Sequence, residues 1–137
     1  MTDYAMRDLT GEDKMSFSLN SHHVLDTLED SIVVANAGGR IVYVNQALEK
    51  LLGWSARDLV GEPITILMPE RFRDAHLSGF QKYLSTRRPT VIGTPMHVAA
   101  RQRDGSDVDI ELTLGVMSEN ASEPLFVATM RDLRERI

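Results

Sequence analysis

At 137 residues the chain has the length of one ordinary domain, too short for two and long enough to bury a core. A net charge of −5 argues against a nucleic-acid or anionic-membrane surface, and Arg71/Arg73 and Arg87/Arg88 are too sparse to form a local basic patch. The lack of cysteine excludes disulfides, thiolate metal sites, iron–sulfur clusters and cysteinyl adducts, while hydrophobic residues at 42% place the chain among globular proteins.

No apolar run approaches the ~20 residues of a membrane span and no hydrophobic signal core opens the chain. The expectation is therefore a cytoplasmic piece with no direct membrane contact. Residues 1–20 mix charge, small polar residues and methionine without sustained periodicity, and read as a flexible lead. From Ser21 to Asp30 a short helix is expected, with Val24, Leu25 and Leu28 on one apolar side. His22 and His23 stand in its first turn, where adjacent side chains diverge and make a poor metal pair.

Ser31 to Asn36 is a β-branched run, Ala37-Gly38-Gly39-Arg40 a turn, and Ile41 to Val44 a second run, which together predict a hairpin. Asn45 is placed to cap a helix with Leu48, Leu51 and Leu52 inward and Gly53 at its C-terminal stop. Ser55 to Leu59 reads as a short helical turn and Gly61-Glu62-Pro63 as a break. Pro69 suits the first turn of a longer helix that ends near Arg87-Arg88-Pro89, and Glu70 complements the positive end of its dipole.

Counted from Pro69, the residues Phe72, Ala75, His76, Gly79, Phe80, Tyr83 and Leu84 share one face, away from Arg71, Arg73, Asp74, Gln81 and Lys82. His76 therefore points with the apolar stripe. Gly79 costs ~1 kcal/mol in a helix interior relative to alanine. Two accounts of this face stay open: close packing on a sheet with His76 bonded to a backbone carbonyl, or a ligand pocket beside the histidine.

Three extended segments follow, Thr90 to Arg103, Asp107 to Met117 and Leu125 to Arg131, the first two joined at Asp104-Gly105. Val108, Ile110, Leu112 and Leu114 alternate with Asp109, Glu111 and Thr113, so one side faces a core. The order predicts an α+β fold, a five-stranded antiparallel sheet with helices on one face around a small cavity. The domain is expected over 21–134, and 132–137 reads as the start of an output linker helix.

Asp30-Ser31, Gly39-Arg40-Ile41-Val42-Tyr43-Val44-Asn45, Leu52-Gly53-Trp54, Leu59-Val60-Gly61 and Arg103-Asp104-Gly105-Ser106 together resemble a PAS domain over residues 22 to 134. Leu67-Met68-Pro69-Glu70, Arg73, His76 and Val91-Ile92-Gly93 look most like the heme-binding PAS domains of rhizobial oxygen-sensor histidine kinases. The resemblance implies heme b with His76 as proximal iron ligand, and a cavity that includes Ile92, Leu112 and Leu114. Gly79 stands where that family commonly has a tyrosine and implies a more open pocket. An arginine that hydrogen-bonds iron-bound gas in the family is replaced here by Met96, which implies lost discrimination for oxygen; a thioether can itself ligate iron, so Met96 is a candidate opposite ligand. A flavin adduct is excluded for want of a cysteine, and non-adduct flavin binding is not.

The implied function is a sensory signal-transduction module that responds to a gas, redox state or other ligand and controls a linked effector such as a histidine kinase or cyclase. A homodimer through the N-terminal helix is expected, because its apolar stripe would be buried by a second copy. Asp132-Leu133-Arg134 keeps the aspartate of the family's Asp-x-Thr motif and lacks its threonine, whose hydroxyl bond Arg134 is not expected to reproduce. Two other readings stand beside this one: a cofactor-free PAS dimerisation or protein-interaction domain, and an enzyme using His76 as general base, for which Asp74 and Glu70 lie off the histidine's face.

Overall fold

The computed structural model describes residues 29–86, 93–116 and 124–135. The lead 1–20, nearly all of the expected N-terminal helix, Ile92 and the turn 118–123 lie outside the described residues. A five-stranded antiparallel sheet carries strands β1 (Ser31–Ala35), β2 (Ile41–Val44), β3 (Met96–Arg101), β4 (Asp107–Val116) and β5 (Phe126–Asp132) in the order β2-β1-β5-β4-β3. Between β2 and β3 run helices α1 (Gln46–Leu52), α2 (Ala56–Leu59) and α3 (Arg73–Thr86), with 3-10 turns at Ile64–Leu67 and Glu70–Phe72.

The hairpin forms as the residues predict. Asn36 closes it by accepting from the backbone N–H groups of Gly38 (3.0 Å) and Arg40 (3.1 Å) through Oδ1. The outer edge of β2 is then sealed by the following loop, since Ile41 N–H donates to Glu62 O (2.9 Å) and Gly61 N–H to Ile41 O (2.8 Å). An edge so paired offers no template to another chain.

Asn45 sits at the point where β2 becomes α1, fully buried. Its Oδ1 accepts from Ile32 N–H (2.9 Å) and Leu48 N–H (3.1 Å), and its Nδ2 donates to Asp30 O (2.9 Å). One side chain thus caps α1 and ties it to the entry of the central strand β1. Gly53 ends α1 in the left-handed region at φ 79, donating to Glu49 O.

The inner face of the sheet packs Val33, Val44, Ala100, Val108, Ile110 and Met130 against Leu48, Leu52, Ala56, Leu59 and Leu67. Fully burying a leucine is worth about 1.5–3 kcal/mol, so α1 and α2 are held by packing, not by intrinsic helicity at such lengths. A second cluster, Ile32, Val34, Val42, Tyr43, Val60 and Leu125, lies apart from the first. Neighbours along β1 divide between the two, as strand pleating demands.

At the far end of β5, Asp132 accepts from Arg134 three ways: from the backbone N–H (2.9 Å), from Nε (3.0 Å) and from Nη2 (3.0 Å). Arg134 therefore closes the 3-10 turn Leu133–Glu135 on Asp132, by its guanidinium and backbone N–H rather than by a hydroxyl. A guanidinium reaches the carboxylate by a longer path than a hydroxyl and adds charge to the bond.

Replacing Asn45 by alanine removes the cap and strands two buried N–H groups. The expected loss is about 2–4 kcal/mol of stability, read as a lowered urea midpoint.

Candidate functional site

The approach to His76 differs from the continuous helix counted from Pro69. Pro69 instead precedes the 3-10 turn Glu70–Phe72, and α3 begins at Arg73. A 3-10 turn advances ~120° per residue against ~100° in an α-helix, so three such residues rotate everything downstream by roughly 60°. The inward side of the first turns is accordingly Phe72, Arg73 and His76, all partly buried, while Ala75 and Gly79 face solvent. Arg73, expected on the charged face, donates from Nε to Met68 O at 3.2 Å.

Gly79 is thus exposed, and a Cβ built on it would meet nothing within 4 Å. Close packing on the sheet is not the reason for this glycine. The side chains of Phe80, Tyr83 and Leu84 lie outside the described residues. His76 is half-buried, and loss of hydration lowers its pKa below the ordinary 6.5, favouring the neutral imidazole.

On the sheet, Met96 lies directly opposite Leu112, Leu112 opposite Met130, and Leu114 opposite Ala128. Cross-strand partners project to the same side, so Met96, Leu112 and Leu114 share one face with the inner cluster. That face is graded: Val108, Ile110 and Ala100 are closed over, whereas Met96, Leu112, Leu114, Val116, Phe126 and Ala128 are only partly covered. The positions on it between Met96 and Met130 are all apolar. Gly93, just ahead of Met96, donates its N–H to Leu114 O at 2.8 Å and ties the approach to β3 onto β4.

Ala128, Phe126 and Val116 were not singled out from sequence, although the alternation Phe126-Val127-Ala128-Thr129-Met130-Arg131 carries the signal, with polar Thr129 and Arg131 on the other side. His97 falls on that opposite side, 3.4 Å from Glu111, which also lies 3.8 Å from Arg131. It is no second imidazole for the apolar face. Among the described residues no group of three or more histidine, aspartate and glutamate side chains gathers to hold a metal ion, and Glu70 and Asp74 are exposed. No helix among them is long and apolar enough to cross a membrane.

The family model described as PAS fold matches residues 20–133. The chain is similar to Sensor protein FixL of Bradyrhizobium diazoefficiens, 36% identical over 112 residues, covering 82% of this chain and 22% of that protein. It is also similar to Oxygen sensor protein DosP of Escherichia coli, 25% identical over 100 residues, covering 73% of this chain and 12% of that one. Both relatives are thus several times longer than the matched segment. Among solved structures, the PAS domain of a Colwellia psychrerythraea protein superposes with a TM-score of 0.66 at 22% identity, over 80% of this chain and 91% of that one, which shows the fold.

Two outcomes follow from this geometry. Because the folded protein binds a proton at His76 less readily than the unfolded chain does, stability contributed by the neutral ring is present above pH 6.5 and lost as pH falls below it. Denaturation midpoints between about pH 7 and 5 should fall less steeply in His76→Gln than in the wild type. Gly79→Ala should raise stability by roughly 0.5–1 kcal/mol, since the added methyl meets no neighbour and glycine is the weaker helix former.

Proposed function

The chain belongs to the PAS family, and from that membership we propose that it is a sensor domain holding heme on the half-covered part of the inner sheet face, with His76 as axial ligand. The observation that carries this reading is the contrast within one face, where Val108 and Ile110 are shut while Met96, Leu112 and Leu114 are left partly uncovered. A PAS sensor domain is not itself a catalyst, and no catalytic residue is assigned.

The residues fit the group. An iron ligand must be the neutral imidazole, and burial favours that form of His76. A flat macrocycle asks for an apolar bed, and the side chains between Met96 and Leu114 on that face supply one without a charged group to desolvate. Heme bound there supplies a centre that responds to small gases and to electron transfer. Leu112 and Leu114 would exclude water from a heme held there, and Met96 would offer a thioether as a second ligand to its iron, whereas Gly79, facing solvent, takes no part. The resemblance to FixL and DosP, sensors by name, supports this assignment. Partners on this reading are a second copy, through the segment 21–30 expected to be helical, and a linked or separate effector.

Added hemin should give a sharp Soret band that His76→Ala abolishes, and an unchanged spectrum in that variant rejects His76 as ligand. With Met96 as opposite ligand the ferrous form is six-coordinate and low-spin, and Met96→Ala converts it to five-coordinate. A wild type that takes up no hemin returns the chain to the cofactor-free interaction reading.

A further inference from the structure

Asp107 opens β4, and its Oδ2 lies 3.0 Å from Nη1 of Arg71 in the 3-10 turn that leads into α3. The aspartate stands on a firm base. In the turn before it, the Ser106 hydroxyl is 2.6 Å from Asp104 Oδ1 and 2.8 Å from Gln102 Oε1. That turn is tied to α1 in turn, Gln102 Nε2 donating to Leu51 O (2.9 Å) and Arg103 N–H to Leu52 O (2.8 Å), with the Arg103 guanidinium 5.5 Å from the centre of the Trp54 ring. The Arg71 side chain, by contrast, is 60% exposed and rests on its neighbour Phe72.

A second guanidinium starts from the strand position opposite the same aspartate, and no bond joins the two side chains in this arrangement. Arg101 on β3 is the direct cross-strand partner of Asp107, and its Nε is buried without a hydrogen bond. Opposed side chains of an antiparallel pair start ~4.5–5.5 Å apart at Cβ, so a rotation of Asp107 brings it to Arg101. A buried donor left unbonded favours that rotation, while the bond to Arg71 opposes it. One acceptor between two cations has two discrete arrangements, which is what a switch requires.

We propose that Asp107 is a two-position catch for α3. On Arg71 it holds the front of the helix, and with it His76, to the β3–β4 hairpin; on Arg101 it lets the helix move away and admits a ligand to the apolar face. Arg71, Asp107 and Arg101 are positioning residues, and the admission step rests on the reading of His76 and that face as a ligand site. An exposed ion pair is weak, so both arrangements are populated and the catch is fast.

Amide hydrogen exchange of the ligand-free protein tests it, with α3 rates referred to those of Ile32–Val34 in β1 so that general destabilisation cancels. Arg71→Gln should speed exchange in α3 about two- to fivefold, and Arg101→Gln should slow it by a similar factor, because the released state loses its charged donor. Asp107→Asn should match Arg71→Gln, and combining the two should add nothing. Shifts of the same sign in Arg71→Gln and Arg101→Gln, or an additive double variant, overturn the catch. Hemin uptake should be faster in Arg71→Gln and slower in Arg101→Gln, and equal rates overturn the admission role. A wild type that binds no hemin overturns the heme reading alone, since the exchange rates still decide the catch.

Discussion

The amide of Asn45 is the constraint on which the arrangement depends. It accepts twice and donates once, joining Asp30 and Ile32 at the start of β1 to Leu48 in α1. Aspartate lacks the donor and serine the reach, so few residues serve all three partners. Because Asn45 is fully buried, each bond it fails to make leaves a group away from water, and the entry of the central strand and the first helix therefore form together.

From that junction the helices spread unevenly over the sheet. Leu48, Leu52, Ala56, Leu59 and Leu67 close the half of the inner face that includes Val33, Val108 and Ile110. They are short elements and cannot reach the other half. The partly covered strip from Met96 to Ala128 is a geometric consequence of α1 and α2 spanning only Gln46–Leu52 and Ala56–Leu59. α3 follows them in the chain, and its front is joined to β4 through Arg71 and Asp107.

The site residues illustrate two kinds of positional logic. Met96, Leu112 and Leu114 are placed together by strand pleating and register, which follow simple rules once the strands are aligned. His76 depends on the phase of a helix, and three residues of 3-10 turn before Arg73 rotate that phase enough to exchange Arg73 for Ala75 on the inward side. His76 stays partly buried in both phases because it lies at the centre of the predicted stripe, whereas Gly79 at its margin turns outward.

Local residue types by themselves determined the strands from Ser31, Ile41, Asp107 and Phe126 to within a residue or so, the caps at Asn45 and Gly53, and the α+β order, since alternation, capping and turn chemistry act over a few neighbours. Helix periodicity also put His76 on the apolar stripe and strand alternation put Leu112 and Leu114 on one face, whereas Met96 was singled out only by the resemblance to heme-binding PAS domains. Only the tertiary structure decided that Asn45 reaches back to Ile32, that Gly79 faces out, and that Asp107 meets Arg71. Each of these joins residues far apart in sequence or hangs on an angle set by a neighbouring turn. Pairwise reach and helix phase are properties of the assembled chain, and no local pattern of residues encodes them.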